Sequence, residues 1–432
     1  MAQNTSLISL SQYHRDRLQV FPTAAYIHIP FCRRRCYYCD FPISVVGNYQ
    51  ADATGNRGNS HGEIMIGEYV EALCREIKLA AFPSQPLQTV FFGGGTPSLL
   101  SVKHLTAILQ TIDKQLGIAS NAEISLEIDP GTFNRRQLQG YLDAGVNRIS
   151  LGVQSFDEKL LSVCGRFHNL KDVFDAIDLI KQLGVKNFSL DLISGLPHQT
   201  LEQCQNSLET AIKIAPNHLS CYDLVLESVT AFGKQYQPGE KPLPNDIDTA
   251  EMYRLTQNIL TNSGYEHYEV SNYAEVGFQC RHNKVYWENK SYYGFGMGAA
   301  SYVDGQRFTR PRTRREYYTW LEQGAVIDVP VTSFNDWLLE KLMLGLRLTT
   351  GINLAKFDLQ IIEKILNCLQ TYCDCNWIEI VKGNEEIIDY KTLDLSLLNR
   401  DKTLILRLSD PEGFLFSNTI LSTLFKKLES VN

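Results

Sequence analysis

The sequence predicts an α/β protein, a TIM-like partial barrel of six β/α units followed by a small α+β domain at its C-terminal end. Three observations predict it. From about residue 24, short apolar runs rich in β-formers alternate with amphipathic stretches, the pattern of βαβ units and a parallel sheet. The ends of those runs collect glycine and polar residues, as the active face of a barrel does. With 432 residues the chain exceeds one ordinary core, and from about Trp337 the alternation gives way to mixed patterns. The expected division is an N-terminal segment at 1–23, a core barrel at 24–235, an extension at 236–335 and a C-terminal domain at 336–432.

Taken in order, the expected strands are Ala25–Phe31, Thr89–Gly93, Glu123–Asp129, Arg148–Gln154, Asn187–Ser194 and Leu219–Val225. The helices between and after them are Glu68–Leu79, Leu105–Leu116, Arg136–Ala144, Leu170–Leu183, Leu201–Ile214 and Thr249–Thr261. Leu105, Ile108, Leu109, Ile112 and Leu116 show the three-four spacing of one helical face. Two stretches interrupt the pattern. Gly47–Gly62 is polar and glycine-rich and reads as a flexible surface insertion, and Tyr236–Asp246 is a proline-rich loop.

Hydrophobic content of 44% and charged content of 21% describe a soluble globular chain, and a net charge of −7 argues against a nucleic-acid partner. Arg310, Arg312, Arg314 and Arg315 form a basic run that reads as a solvated face. Eleven cysteines lack the dense spacing of a disulfide framework. The first residues show no basic-then-apolar leader, and no run approaches the ~20 apolar residues of a membrane span. A reduced, cytoplasmic protein is expected, reaching membranes only through a partner.

Chemistry concentrates after the first strand, in Cys32-x3-Cys36-x2-Cys39. Three thiolates can hold three irons of a [4Fe–4S] cluster and leave the fourth open to a small molecule. Gly93-Gly94-Gly95-Thr96-Pro97 follows the second strand, where bare backbone can approach a ligand, although no Gly-Lys-Ser/Thr follows to make a phosphate loop. Glu127, Gln154, Arg166 and Asp191 are candidate small-molecule contacts, three of them at strand ends. Carboxylates suit an ammonium or a ribose diol, and Arg166 suits a carboxylate. Gly294-Phe-Gly-Met-Gly-Ala reads as a packed turn and not a dinucleotide fingerprint. In Arg281–Trp287, His282 is either an axial ligand for haem iron or a core histidine, with Tyr286 and Trp287 able to pack on a macrocycle. Cys373 and Cys375 read as structural.

Taken together, Cys32-x3-Cys36-x2-Cys39, Gly93–Pro97, Glu127-Ile-Asp-Pro130 and Leu151-Gly-Val-Gln154-Ser resemble the radical S-adenosylmethionine (SAM) proteins. The narrower resemblance is to the branch of oxygen-independent coproporphyrinogen III dehydrogenases and HemW-like haem chaperones. It implies a radical SAM-type barrel, a [4Fe–4S] cluster on Cys32, Cys36 and Cys39, and SAM on the open iron. It implies Tyr26 and Tyr38 beside the cluster and SAM, Gly94, Gly95 and Thr96 at the methionine end, and Glu127, Gln154, Arg166 and Asp191 around the rest. Within the branch, Asp40-Phe41 stands where the dehydrogenase carries a further cysteine. Only 25 residues precede Tyr26, and His282-Asn-x-x-Tyr-Trp287 is similar to the H-N-x-x-Y-W signature of the chaperones. The implied function is a chaperone that carries haem as cargo to haem-accepting apoproteins, membrane-bound respiratory enzymes among them, with association into a homodimer as one means of control. The alternative within the branch is a radical SAM oxidoreductase of porphyrin biosynthesis. Glu227-Ser-Val-Thr230 departs from the Glu-Pro-Gly-Thr common in the family, which leaves that loop's conformation open.

Overall fold

The computed structural model describes residues 21–50, 61–80, 85–383, 386–393 and 404–429. Most of the expected N-terminal segment, and residues 51–60 of the expected insertion, lie outside them.

Six parallel strands form the body of one sheet: β1 (Ala24–Ile29), β2 (Leu87–Gly94), β3 (Ile118–Ile128), β4 (Arg148–Gln154), β5 (Phe188–Ser194) and β6 (His218–Asp223). They neighbour one another in chain order, as successive βα units do. The helices that follow them include α1 (His61–Leu79), α2 (Val102–Leu116), α3 (Arg135–Asp143), α4 (Glu158–Val163), α5 (Leu170–Gln182) and α6 (Leu201–Ile214). Side-chain caps start these helices where the sequence supplies them. Asn169 with Asp172, and Thr200 with Gln203, form reciprocal capping boxes on α5 and α6.

The period-two alternation of the strands separates two environments. Ile27, Val90, Phe92, Leu126, Ile149, Leu151, Leu190 and Leu219 face outward into the main apolar core beneath the helices. Tyr26, His28, Phe91, Glu127, Arg148, Ser150, Asp191 and Ser220 face inward and line a barrel interior that is polar rather than filled with aliphatic layers.

Three further strands extend the sheet. β7 (Glu266–Glu269) and β8 (Asn272–Ala274) continue it antiparallel beyond β6, and β9 (Tyr293–Phe295) pairs parallel with β1 at the other edge. The nine strands do not close, so the barrel is partial. The turn after β9 is the packed glycine-rich turn expected from its sequence: a Cβ on Gly296 would run into Tyr69 Oη, and one on Gly298 into Pro42. One expectation is corrected here. Arg310 is not on a solvated face but 5% exposed, its Nε 2.7 Å from Glu76 of α1. Glu76 also accepts from Tyr317 Oη (2.7 Å) and from the backbone N–H of Gly296 (2.8 Å), tying α1 to the β9 edge.

Beyond this lies a second hydrophobic cluster, built from Trp337, Leu342, Ile362, Leu366, Ile380, Leu406 and Ile420 around a four-stranded antiparallel sheet. It meets the barrel at α7 (Asp246–Asn262) and β7, where Tyr253 joins its core, Arg254 pairs with Glu412, and His267 lies 2.9 Å from Asp410.

Candidate functional site

The cysteine loop leaves the C-terminal end of β1, and its three arginines fix it in place. Arg33 donates to the carbonyls of Tyr49 (2.9 Å) and Gly131 (3.0 Å), Arg34 to those of Gly165 and Arg166, and Arg35 to those of Cys39 and Phe41 (3.0 Å each). Backbone bonds add Tyr37 N–H to Cys164 O and Cys39 N–H to Cys36 O. All three thiols line one cavity of about 510 Å³ at the mouth of the barrel. Among the described residues no three His, Cys, Asp or Glu side chains converge on a single metal ion. A cluster does not require that, since each cysteine binds a different iron. In the metal-free chain burial pushes the Cys32 thiol up to about 12 and raises that of Cys39, so the positive charge of iron is what would hold them as thiolates.

The glycine run at the end of β2 packs backbone to backbone against this loop. Gly95 N–H donates to Ile29 O (2.8 Å) and Thr96 N–H to Phe31 O (2.7 Å), and a Cβ on Gly95 would sit 2.7 Å from Phe31 O. Gly94 has φ +112°, a region that favours glycine, and its N–H donates to Glu127 (3.1 Å). Thr96 Oγ1 donates to Asp129 (3.2 Å) and approaches Cys32 Sγ (3.6 Å).

Arg166 is the cationic centre of the mouth. It pairs with Asp129 at 2.5 Å, donates to Gly152 O (2.9 Å), and directs its other nitrogen to Cys36 Sγ (3.5 Å) and Tyr38 Oη (3.4 Å). Burial works against its charge, and Asp129 beside it holds it protonated well above the ordinary range. Gly152 makes room for this pair, since a Cβ there would meet Asp129 Oδ1 at 2.7 Å. The strand bulges between Gly152 and Gln154, and Gln154 has φ +69°, which re-aims its side chain at the cavity. Glu127 is half-buried, and burial, reinforced by Asp191, pushes it up to about 8. Burial likewise raises Asp191, against hydroxyl bonds from Ser150 (3.0 Å) and Ser189 (3.3 Å).

Tyr38, Gly94, Gly95, Thr96, Glu127, Gln154, Arg166 and Asp191 thus share the cavity with the three cysteines. This donor set fits the implied group: three thiols at one mouth, two hydrogen-bond donors aimed at their sulfurs, and the glycine backbone of Gly94–Gly95 on the wall of the same cavity. Tyr26 does not line this cavity. It lines a second one, about 490 Å³, that shares Gly94, Glu127, Ser150 and Asp191 with the first and runs into the barrel interior. Sequence reasoning missed Asp129 and His28. Asp129 was quoted within its motif, and its partner Arg166 was the signal available. His28 accepts from Tyr26 Oη (3.0 Å) and donates to Pro42 O (3.0 Å), holding the far end of the cysteine loop.

His282 and Tyr286 line the second cavity, and Trp287 lines neither. They belong to α8 (Arg281–Trp287), which docks at the N-terminal end of the strands, away from the cysteines. His282 is 1% exposed, with Nδ1 bonded to Thr89 Oγ1 and Nε2 to Tyr286 Oη, each at 2.8 Å. Trp287 stacks under Arg347 at 5.9 Å. The Glu227–Thr230 loop forms a tight turn without Pro-Gly, because Thr230 donates to Glu227 O from both N–H (2.9 Å) and Oγ1 (2.7 Å).

Residues 26–211 match the Radical SAM superfamily. The chain is 49% identical over 417 residues to the "Heme chaperone HemW" of Synechocystis sp., covering 95% of this chain and 98% of that one. It is 36% identical over 337 residues to the protein of the same name from Lactococcus lactis, covering 78% and 84%. The solved structure of coproporphyrinogen III oxidase (HemN) from Escherichia coli, described as a radical SAM enzyme, superposes with a TM-score of 0.75 at 18% identity. That likeness covers 95% of this chain and 92% of that one and bears on the fold.

Proposed function

The chain belongs to the HemW-like haem chaperones of the radical SAM superfamily, and from that premise we propose that it binds haem and hands it to haem-requiring apoproteins, those of respiratory membranes among them. The observation that carries this reading is the near-full-length identity to a haem chaperone, joined to Asp40-Phe41 after the third cysteine.

Cys32, Cys36 and Cys39 are the proposed ligands of a [4Fe–4S] cluster, which supplies an open iron for SAM. The protein's own residues then position SAM. Gly94 and Gly95 would offer bare backbone to its methionine end, Arg166 sets a positive charge between Cys36 and Asp129, and Glu127 and Asp191, both raised by burial, would face the ribose and ammonium. In a cytoplasmic chaperone these groups regulate cargo without turnover. His282 can ligate haem iron only if its bond to Thr89 or Tyr286 opens.

Titration of the reconstituted full chain with haem, followed in the Soret band, should saturate at one haem per chain, and His282→Ala should weaken it. Absence of stoichiometric binding by the intact protein refutes the reading. A second reading, radical SAM decarboxylation of a porphyrinogen, is favoured by the continuity of the cysteine cavity with the barrel interior. Anaerobic incubation with coproporphyrinogen III, SAM and a reductant separates the two: sustained protoporphyrinogen formation establishes the enzyme.

A further inference from the structure

Arg148 opens β4 and is 2% exposed, with its side chain inside the barrel on the wall of the 490 Å³ cavity. Its Nε has no hydrogen-bond partner, and among the described residues no carboxylate lies within ion-pair distance of it. The acids around it are committed elsewhere. Glu123 accepts from the backbone N–H groups of Arg281 and His282, at 3.1 Å each, and from the Cys280 thiol. Asp191 accepts from Ser150 and Ser189. Burial opposes the charge, while Cys280, Glu123, Tyr268 and Asp191 nearby favour it, so the guanidinium stays charged yet unbonded. A buried charge with open donors is costly unless something completes it, and a planar fork of N–H groups best matches a carboxylate.

The rest of the cavity defines what that carboxylate is attached to. Phe41, Tyr26, Phe91, Tyr222, Tyr286 and Tyr292 present aromatic surface on several sides, with Ser150, two positions after Arg148 on β4, and Ser220 of β6 also in the lining. A flat, largely apolar ring bearing acidic side chains suits such a lining. We propose that Arg148 is the carboxylate-binding residue of the barrel interior and takes a propionate of a tetrapyrrole held against these rings. This deepens the haem-carrying reading and rests on it.

The test uses the full chain and two metal-free probes, protoporphyrin IX and its dimethyl ester, so that iron ligation plays no part. Binding is read by porphyrin fluorescence in one detergent buffer. The wild type should bind the free acid roughly tenfold to a hundredfold more tightly than the diester. Arg148→Gln should erase that preference without weakening the diester, and Arg148→Lys, which keeps the charge and guards against misfolding, should retain part of it. Equal binding of acid and diester by the wild type overturns the proposal. So does a preference that survives Arg148→Gln or disappears instead in Arg312→Gln. Loss in Arg148→Gln of the change that SAM makes in the cluster spectrum, with the porphyrin preference intact, assigns Arg148 to SAM and also overturns it. If the wild type binds neither porphyrin nor haem, the cargo reading falls as well; if it binds haem and only the acid preference fails, that reading stands.

Discussion

Arg166 and Asp129 are 37 positions apart in the chain and 2.5 Å apart in the fold. Arg166 stood out from the sequence as a residue suited to clamp a carboxylate, while Asp129 hid behind Glu127, since only pairing across the mouth separates a site carboxylate from a strand-end one. The same limit misplaced Arg310, whose partner Glu76 lies 234 residues upstream. His282 illustrates the reverse case. Its motif was legible, but its role depends on two hydrogen bonds that no spacing reveals. Its burial makes a pH prediction. Burial, with Arg148 nearby, lowers His282 to about 3. A base depressed on folding contributes stability that is present above its unfolded value near 6.5 and is lost as pH falls toward the folded one. Urea midpoints at pH 7 and pH 4 should therefore show His282→Gln losing less stability than the wild type on acidification. The difference is on the order of 3 kcal/mol, and parallel losses in the two proteins refute it.

At the scale of elements, the six barrel strands were legible because each is an apolar run rich in β-formers and long enough to read, and Leu201–Ile214 because its helix has a signalled start. The three-residue strands β8 and β9 were not. Three residues carry no period, and β9 exists only by pairing with a strand more than 260 positions away. The glycine run was readable as a close approach, but what it approaches was not. The structure shows it to be the backbone of the cysteine loop. Gly95→Ala must therefore push Phe31 and the following cysteine out of place. We expect a stability loss of about 1–3 kcal/mol and reduced iron per chain after anaerobic reconstitution, with Gly67→Ala as the control because its Cβ would meet nothing. Equal iron content in the two variants contradicts the proposed loop contact.

For the whole molecule, the decisive fact is a sheet that does not close. The β9 edge is kept on β1 partly by the buried Glu76–Arg310 pair, both partners at most 5% exposed. Removing one partner leaves a buried charge, so Glu76→Met should cost about 3–5 kcal/mol. Glu76→Met with Arg310→Met should recover most of that, measured by thermal or denaturant unfolding. A double variant as unstable as the single one shows that the network, and not the unpaired charge, carries the cost.

The arginine clamps on the cysteine loop decide what its shape depends on. In small zinc domains the metal creates the fold, and the apo chain is unstructured. Here the loop's own arginines tie it to six carbonyls, four of them outside the loop. Its course is written in bonds within the protein rather than in bonds to a metal. Injuries to the cysteines and to the arginines should therefore separate: the first removes thiols from a loop that keeps its path, the second leaves thiols on a loop that has lost it.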